Sequence, residues 1–257
     1  MIYRITRKFI ALALLAPFMF IIGCKDDDDD ANVAGTFYGP EVSVGQGNAK
    51  AWVTTDGAGT PTAVGVTLSE AAVNASNLGN AMRMYMLHLP SQANKTLYDH
   101  VMLDWNPQGH EPAGLYDQPH FDLHFYMVPE ATVSAIQGSM GMDVEPDAQY
   151  VPENYILTPG IVPGMGAHWI NVTDQNNSPG NFAKNFIYGS YNGKFIFHEP
   201  MFTLDYLSTL PAKGSETMSI PQPAAYQQSG LYPQKYRFSY NSSSKEYSII
   251  LEDFIQK

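Results

Sequence analysis

Residues 119–128 read Pro-His-Phe-Asp-Leu-His-Phe-Tyr-Met-Val. Phe121, Leu123, Phe125 and Met127 interleave with His120, Asp122, His124 and Tyr126, the period of two that assigns one set to each face of a β-strand. One face is apolar and seeks a core. The other carries two imidazoles, a carboxylate and a phenol. A helix would also bring His120 and His124 together at i, i+4, but Phe121 stands where a helical metalloprotease motif needs Glu.

The same strand character spreads outward. Ala49–Thr55, Ala63–Leu68, Met82–Leu89, Asp99–Trp105, Ala167–Val172, Asn185–Tyr191, Lys194–His198, Lys235–Tyr240 and Tyr247–Leu251 read as further strands. Asp56–Pro61 has the composition of a hairpin turn, and Asn192-Gly193 is the stronger signal, because Asn-Gly tolerates positive φ at both central positions. Short helices are expected at Ser69–Leu78 with Ser69 as N-cap, at Pro129–Gly138 and at Pro200–Leu210. Residues 139–166 read as an irregular connection, and a Pro- and Gln-rich loop follows Leu210 as far as Pro233. The expected fold is mainly β, a sandwich or open barrel with three or so short helices and α+β as its variant, in one domain over residues 34–257.

Composition narrows the classes. Of 257 residues 44% are hydrophobic and 15% charged, with a single Cys, which excludes a disordered acidic tail, a coiled coil and a disulfide scaffold. The formal charge of -11 has the wrong sign for binding a nucleic-acid backbone, so no nucleic-acid partner is expected.

At the N-terminus Arg4, Arg7 and Lys8 precede an apolar run from Phe9 to Ile22, closed by Gly23-Cys24. This is the pattern of a bacterial lipoprotein signal peptide over residues 1–23, with Cys24 acylated by palmitate-type chains. The run is short of the ~20 apolar residues that span a bilayer. Residues 24–33 then form a lipidated, acidic tether with Asp26–Asp30. This acidic stretch resembles the export signal of surface-exposed lipoproteins. The expected location is therefore the cell outer membrane, facing the surface or alternatively the periplasm. With Cys24 the only Cys, no disulfide can form within the mature monomer, and stability rests on packing, helped by metal or oligomerisation.

The chain has seven His, and His110, His120 and His124 cluster around Asp122. Imidazole and carboxylate ligate divalent transition metals such as Zn, Fe or Mn. Same-face neighbours on a strand stand ~6.6 Å apart. One ion can thus take His120 with Asp122, or Asp122 with His124, completed by His110 from the preceding loop and by His168 or His198 from a neighbouring strand. Glu199 is a further candidate ligand, whereas His88 and His100 have no supporting neighbours. The plain alternative is a buried hydrogen-bond network or an exposed polar face. A nucleophile elbow and a phosphate-cradling loop are both missing. Carboxylate pairs drawn from Asp104, Glu111, Asp122 and Glu199 fit a hydrolase, and Trp52, Trp105 and Trp169 fit a glycan cleft through ring stacking.

The segment DWNPQGHEPAGLYDQPHFDLHFY, residues 104–126, resembles an uncharacterised family of exported bacterial proteins, a domain of unknown function. The likeness extends to residues 47–73, 163–171, 186–201, 220–226 and 232–240. It implies a β-rich domain that assembles as a homo-oligomer, and it names no reaction. A weaker likeness is to cupins, whose metal strand carries His-x-His, whereas this chain has His-x-x-x-His, and PGMGAHWIN (163–171) only approximates their second motif. Two functions follow as expectations. One is a surface lipoprotein whose His/Asp site binds a divalent metal or uses it for hydrolysis. The other is a non-enzymatic oligomeric envelope module for a protein, glycan or small-molecule ligand.

Overall fold

The computed structural model describes residues 33–138 and 144–257; the expected signal peptide, Cys24 and the acidic run to residue 32 lie outside them. In chain order the strands are β1 (Gly35–Tyr38), β2 (Val42–Val44), β3 (Gly47–Thr55), β4 (Pro61–Ser69), β5 (Arg83–His88), β6 (His100–Asn106), β7 (His120–Tyr126), β8 (Tyr155–Leu157), β9 (Ala167–Asn171), β10 (Lys184–Tyr191), β11 (Lys194–Thr203), β12 (Ser215–Ser219), β13 (Leu231–Asn241) and β14 (Glu246–Gln256). They form two antiparallel seven-stranded sheets. One runs β1-β3-β4-β14-β13-β12 with β2 on β3, and the other runs β5-β6-β7-β11-β10-β9-β8. Neither closes on itself, so the architecture is a sandwich and not a barrel.

Alternation on every central strand builds the shared core. Val53, Val64, Val66, Phe238, Ile249 and Leu251 from the first sheet meet Leu103, Trp105, Phe121, Leu123, Phe125 and Phe202 from the second. All of these side chains are buried, and each contributes roughly 1.5–3 kcal/mol by leaving water. A second, smaller cluster covers the far side of the β7 sheet, with Tyr126, Val133, Ile136, Ile187, Phe197 and Met201 among its members. Loops and α2 (Glu130–Ser134) thus roof the polar face of β7, and the face expected to meet solvent or a ligand is a satellite interior.

Three expectations need correction. Residues 200–210 are not one helix: β11 continues through Pro200, because Met201, Phe202 and Thr203 pair with Asp122, Phe121 and His120. The helix α3 starts later, at Leu204, where Thr203 Oγ1 accepts the Tyr206 amide, and ends at Lys213 before Gly214. Ser69 does not cap a helix, since its hydroxyl accepts the Asn48 amide across the hairpin. Residues 70–78 break instead into a 3-10 turn and the four-residue α1 (Ala75–Leu78), capped by Asn74. The stretches expected to be loop also contain strands: β8 lies within 139–166, and β12 with the start of β13 within the Pro- and Gln-rich segment. Both hairpin turns form as expected, with Asn192 and Gly193 at φ +51° and +74°.

Phe125 lies wholly buried between the sheets. Phe125→Ala is expected to cost about 3–5 kcal/mol of unfolding free energy, with the urea midpoint of the purified protein as the readout.

Candidate metal centre

Register delivers the polar residues of three strands to one place. Asp104 lies directly opposite Asp122 and Asn106 opposite His120 on the β6–β7 ladder, while β11 brings Glu199 alongside from the other flank. His110 enters from the β6–β7 connection. There the His110 amide donates to the Tyr116 carbonyl, and Gly109 makes the turn at φ +71°, where a side chain would strike that same carbonyl. His168 comes from β9.

These residues fall into two adjoining groups, His110 with His120 and Asp122, and His124 with His168 and Glu199. In the first group, His110 Nε2 stands 3.0 Å from Asp122 Oδ2 and His120 Nε2 stands 3.1 Å from Asp122 Oδ1. Both rings are held from behind by backbone carbonyls, His110 Nδ1 by Glu111 at 2.7 Å and His120 Nδ1 by Gln118 at 2.6 Å. A carbonyl only accepts, so each Nδ1 carries a proton, and a ring with no second proton would turn an Nε2 lone pair toward the Asp122 carboxylate. Lone pair facing carboxylate is repulsive unless a cation, a proton or a metal ion, lies between. Asn106 Nδ2 donates to Asp122 Oδ2 at 2.7 Å and fixes the carboxylate plane.

The second group is arranged in the same manner. His124 Nε2 lies 3.5 Å from Glu199 Oε1, His168 Nε2 lies 3.7 Å from Glu199 Oε2, and His124 Nδ1 lies 3.1 Å from Asp104 Oδ2. The Phe197 ring packs against both His124 and His168, with centroids 4.9 and 5.2 Å away. It has room because Gly189 faces it across the hairpin, where any β-carbon would collide with the ring.

Electrostatics make the region costly as it stands. Asp104, Asp122 and Glu199 are buried, and among the described residues their ion-pair partners are all His, with no Lys or Arg. His120 Nε2, Asp122 Oδ1, His124 Nδ1 and Nε2, Glu199 Oε2 and both Asp104 oxygens are buried without a well-formed hydrogen bond. Burial pushes Glu199 and Asp104 up as acids. Asp122 is held below the usual carboxylate range although burial opposes it, because His120 and His110 outweigh that cost. Burial also opposes charge on His110 and His124, yet Asp122 lifts the first to about 9 and Glu199 with Asp104 lifts the second to about 9. Burial beside those cationic rings drives His168 down to about 3.

The remaining candidates sit elsewhere. His198 points to the opposite face of β11, into the core between the sheets, where its Nδ1 shares a 2.7 Å hydrogen bond with the Tyr98 hydroxyl. His88 faces Glu130 at the sheet edge, and His100 pairs with Asp99 while stacking on Tyr126. Trp52, Trp105 and Trp169 are buried, their indole N–H groups donating to Thr67, Gly79 and Ser190, so none offers an exposed stacking platform. Asp104 is the site residue that spacing alone undervalued; the usable signal was the pairing of DHVMLDW with HFDLHFY in one sheet.

Each group is thus a set of two His and one carboxylate, the donor type that holds first-row divalent ions while leaving coordination positions open. A profile of the TTHB210-like family, described as Hypothetical protein TTHB210, matches residues 56–105. This supports a likeness to an uncharacterised family of unknown function. The match runs from the β3–β4 turn through Asp104 and ends before β7. No curated protein and no solved structure matches the chain.

The raised His110 and His124 fix a pH signature for the metal-free protein. A folded value above the ordinary 6.5 gives stability that is complete below 6.5 and lost as pH rises through about 9. A bound divalent ion instead requires unprotonated rings and binds more tightly as pH rises. Chelator-treated protein is therefore expected to lose thermal stability between pH 6.5 and 9.5, and zinc is expected to raise the melting temperature more at pH 8.5 than at pH 6.

Proposed function

We propose that this chain is a lipid-anchored, outer-membrane protein whose β-sandwich holds a divalent transition ion, Zn, Fe or Mn, through His110, His120 and Asp122. One observation carries the metal assignment: two imidazoles, each clamped by a backbone carbonyl in the tautomer a ligand needs, aim their Nε2 atoms at one buried carboxylate. Such backing by outer hydrogen bonds is the usual device for orienting metal-bound His. The orphaned atoms of His120 and Asp122 fit an ion better than a proton, because their 3.1 Å contact is too misaligned for a good hydrogen bond.

Three protein ligands leave room for water or a small substrate, and a bound ion there would act as a Lewis acid and lower the pKa of that water, as metal-assisted hydrolysis requires. The His110 side chain is 38% exposed, so approach to the first group is from the His110 side. Asn106 fixes the carboxylate, and Phe182, 5.1 Å from the His120 ring, excludes solvent from its flank. The lipid partner is argued from the Cys24 signal alone.

Elemental analysis of the full chain, purified in detergent after growth with metal supplements, tests the assignment. Wild type and His88→Ala are expected to retain ion through desalting, and His120→Ala and Asp122→Asn to retain less by the one ion of this group. Metal-free wild-type protein whose melting temperature zinc does not move would sink the reading. Replacement of Cys24 by Ser is expected to abolish palmitate labelling and membrane association.

A further inference from the structure

We propose that the second group is itself a cation site, so that the sandwich carries a two-metal centre in which His124, His168 and Glu199 hold the second ion and Asp104 positions His124. The inference rests on the metal reading of the first group and extends it to residues that a single ion at Asp122 does not engage.

Three observations carry it. First, the donor chemistry repeats. Two Nε2 atoms, from His124 and His168, face the two oxygens of one buried carboxylate at 3.5 and 3.7 Å. Those gaps are long for hydrogen bonds, whereas an ion seated between nitrogen and oxygen needs about 2 Å to each. Second, the polar atoms are stranded. His124 Nε2 and Glu199 Oε2 are buried, belong to side chains 1% exposed, and have no hydrogen-bond partner. A buried polar group without a partner costs about 1–3 kcal/mol, and more when charged. Third, Asp104 sits behind His124, 3.1 Å from Nδ1, the place of the carboxylate in a carboxylate–histidine–metal relay. It has no other duty among the described residues, where Asp104 is buried and pairs with no Lys or Arg.

Charge balance points the same way. Asp104, Asp122 and Glu199 bring three acids into one satellite interior. One divalent ion leaves an acid uncompensated by metal, while two ions neutralise all three and leave one positive charge for a bound hydroxide or an anionic substrate. The first and second ligand sets hang from Asp122 and His124, neighbours on one strand face and so ~6.6 Å apart along the strand. That spacing exceeds the ~3.5–4 Å at which paired ions clamp both oxygens of one displacement, and the two groups share no residue, so the second group takes a divalent transition ion of its own beside the first.

The experiment counts ions. The full chain, purified in detergent, is dialysed against buffered Zn2+ and assayed for metal per chain, with circular dichroism to check the fold. Two equivalents in wild type, falling to one in Glu199→Gln and in the partly exposed His168→Ala, with His120→Ala removing the other, support the proposal. His168→Ala guards against a Glu199→Gln chain that does not fold. One equivalent in wild type that survives His168→Ala but not His120→Ala overturns the second site and leaves the first standing. One equivalent lost in both variants overturns it too, in favour of a single shared ion. One equivalent lost only in His168→Ala keeps this site and overturns the first. No zinc in any form overturns both.

Discussion

Three carboxylates lie buried on one face of a sheet, and among the described residues their ion-pair partners are all imidazoles. Such a cluster is expensive, since an uncompensated buried charge costs several kcal/mol. The surrounding structure is organised around it. Backbone carbonyls clamp His110 and His120, Asn106 ties Asp122, and an aromatic wall of Tyr126, Phe182 and Phe197 keeps water away. A protein that needed only a stable sandwich would place Val or Leu at these positions. Retaining acids there makes sense when a cation is the partner they were placed to meet.

The economy of β7 explains how one segment serves both fold and site. Its odd-numbered residues complete the core between the sheets and its even-numbered residues face the polar cluster. A one-residue slip would exchange the two sets, so the hydrophobic demand of Phe121, Leu123 and Phe125 fixes the register of the candidate ligands as well. Catalytic or binding precision is inherited from core packing at no separate structural cost.

How much of this was legible in the sequence follows from the same logic. Strict alternation made β7 readable, and Asn192-Gly193 made the β10–β11 hairpin readable, because both signals are local. Clustering of His110, His120, Asp122 and His124 in the sequence marked the region. The division into two groups did not show, because it depends on which partner strand supplies Asp104, His168 and Glu199. The face of His198 was likewise hidden: His198 and Glu199 are adjacent in sequence and therefore point to opposite faces, and only the pairing of β11 with β7 says which faces the site. β12 is not legible in the sequence because Ser-Glu-Thr-Met-Ser is an edge strand with little apolar content, and the start of α3 is obscured because Pro200 reads as a helix opener although its neighbours pair in the ladder.

The distribution of the candidate ligands along the chain has a mechanical consequence. His124 lies on β7 and His168 on β9, joined through the long connection that carries α2 and β8. An ion gripping both would close that connection into a loop and deprive the unfolded chain of the freedom to separate its ends. Loop-closure entropy is what a disulfide removes, and the sole sulfhydryl, Cys24, is unavailable for such a link. Metal in this position would thus serve as a removable crosslink: a chelator would loosen the roof over the sheet without breaking a covalent bond, and reloading would tighten it again.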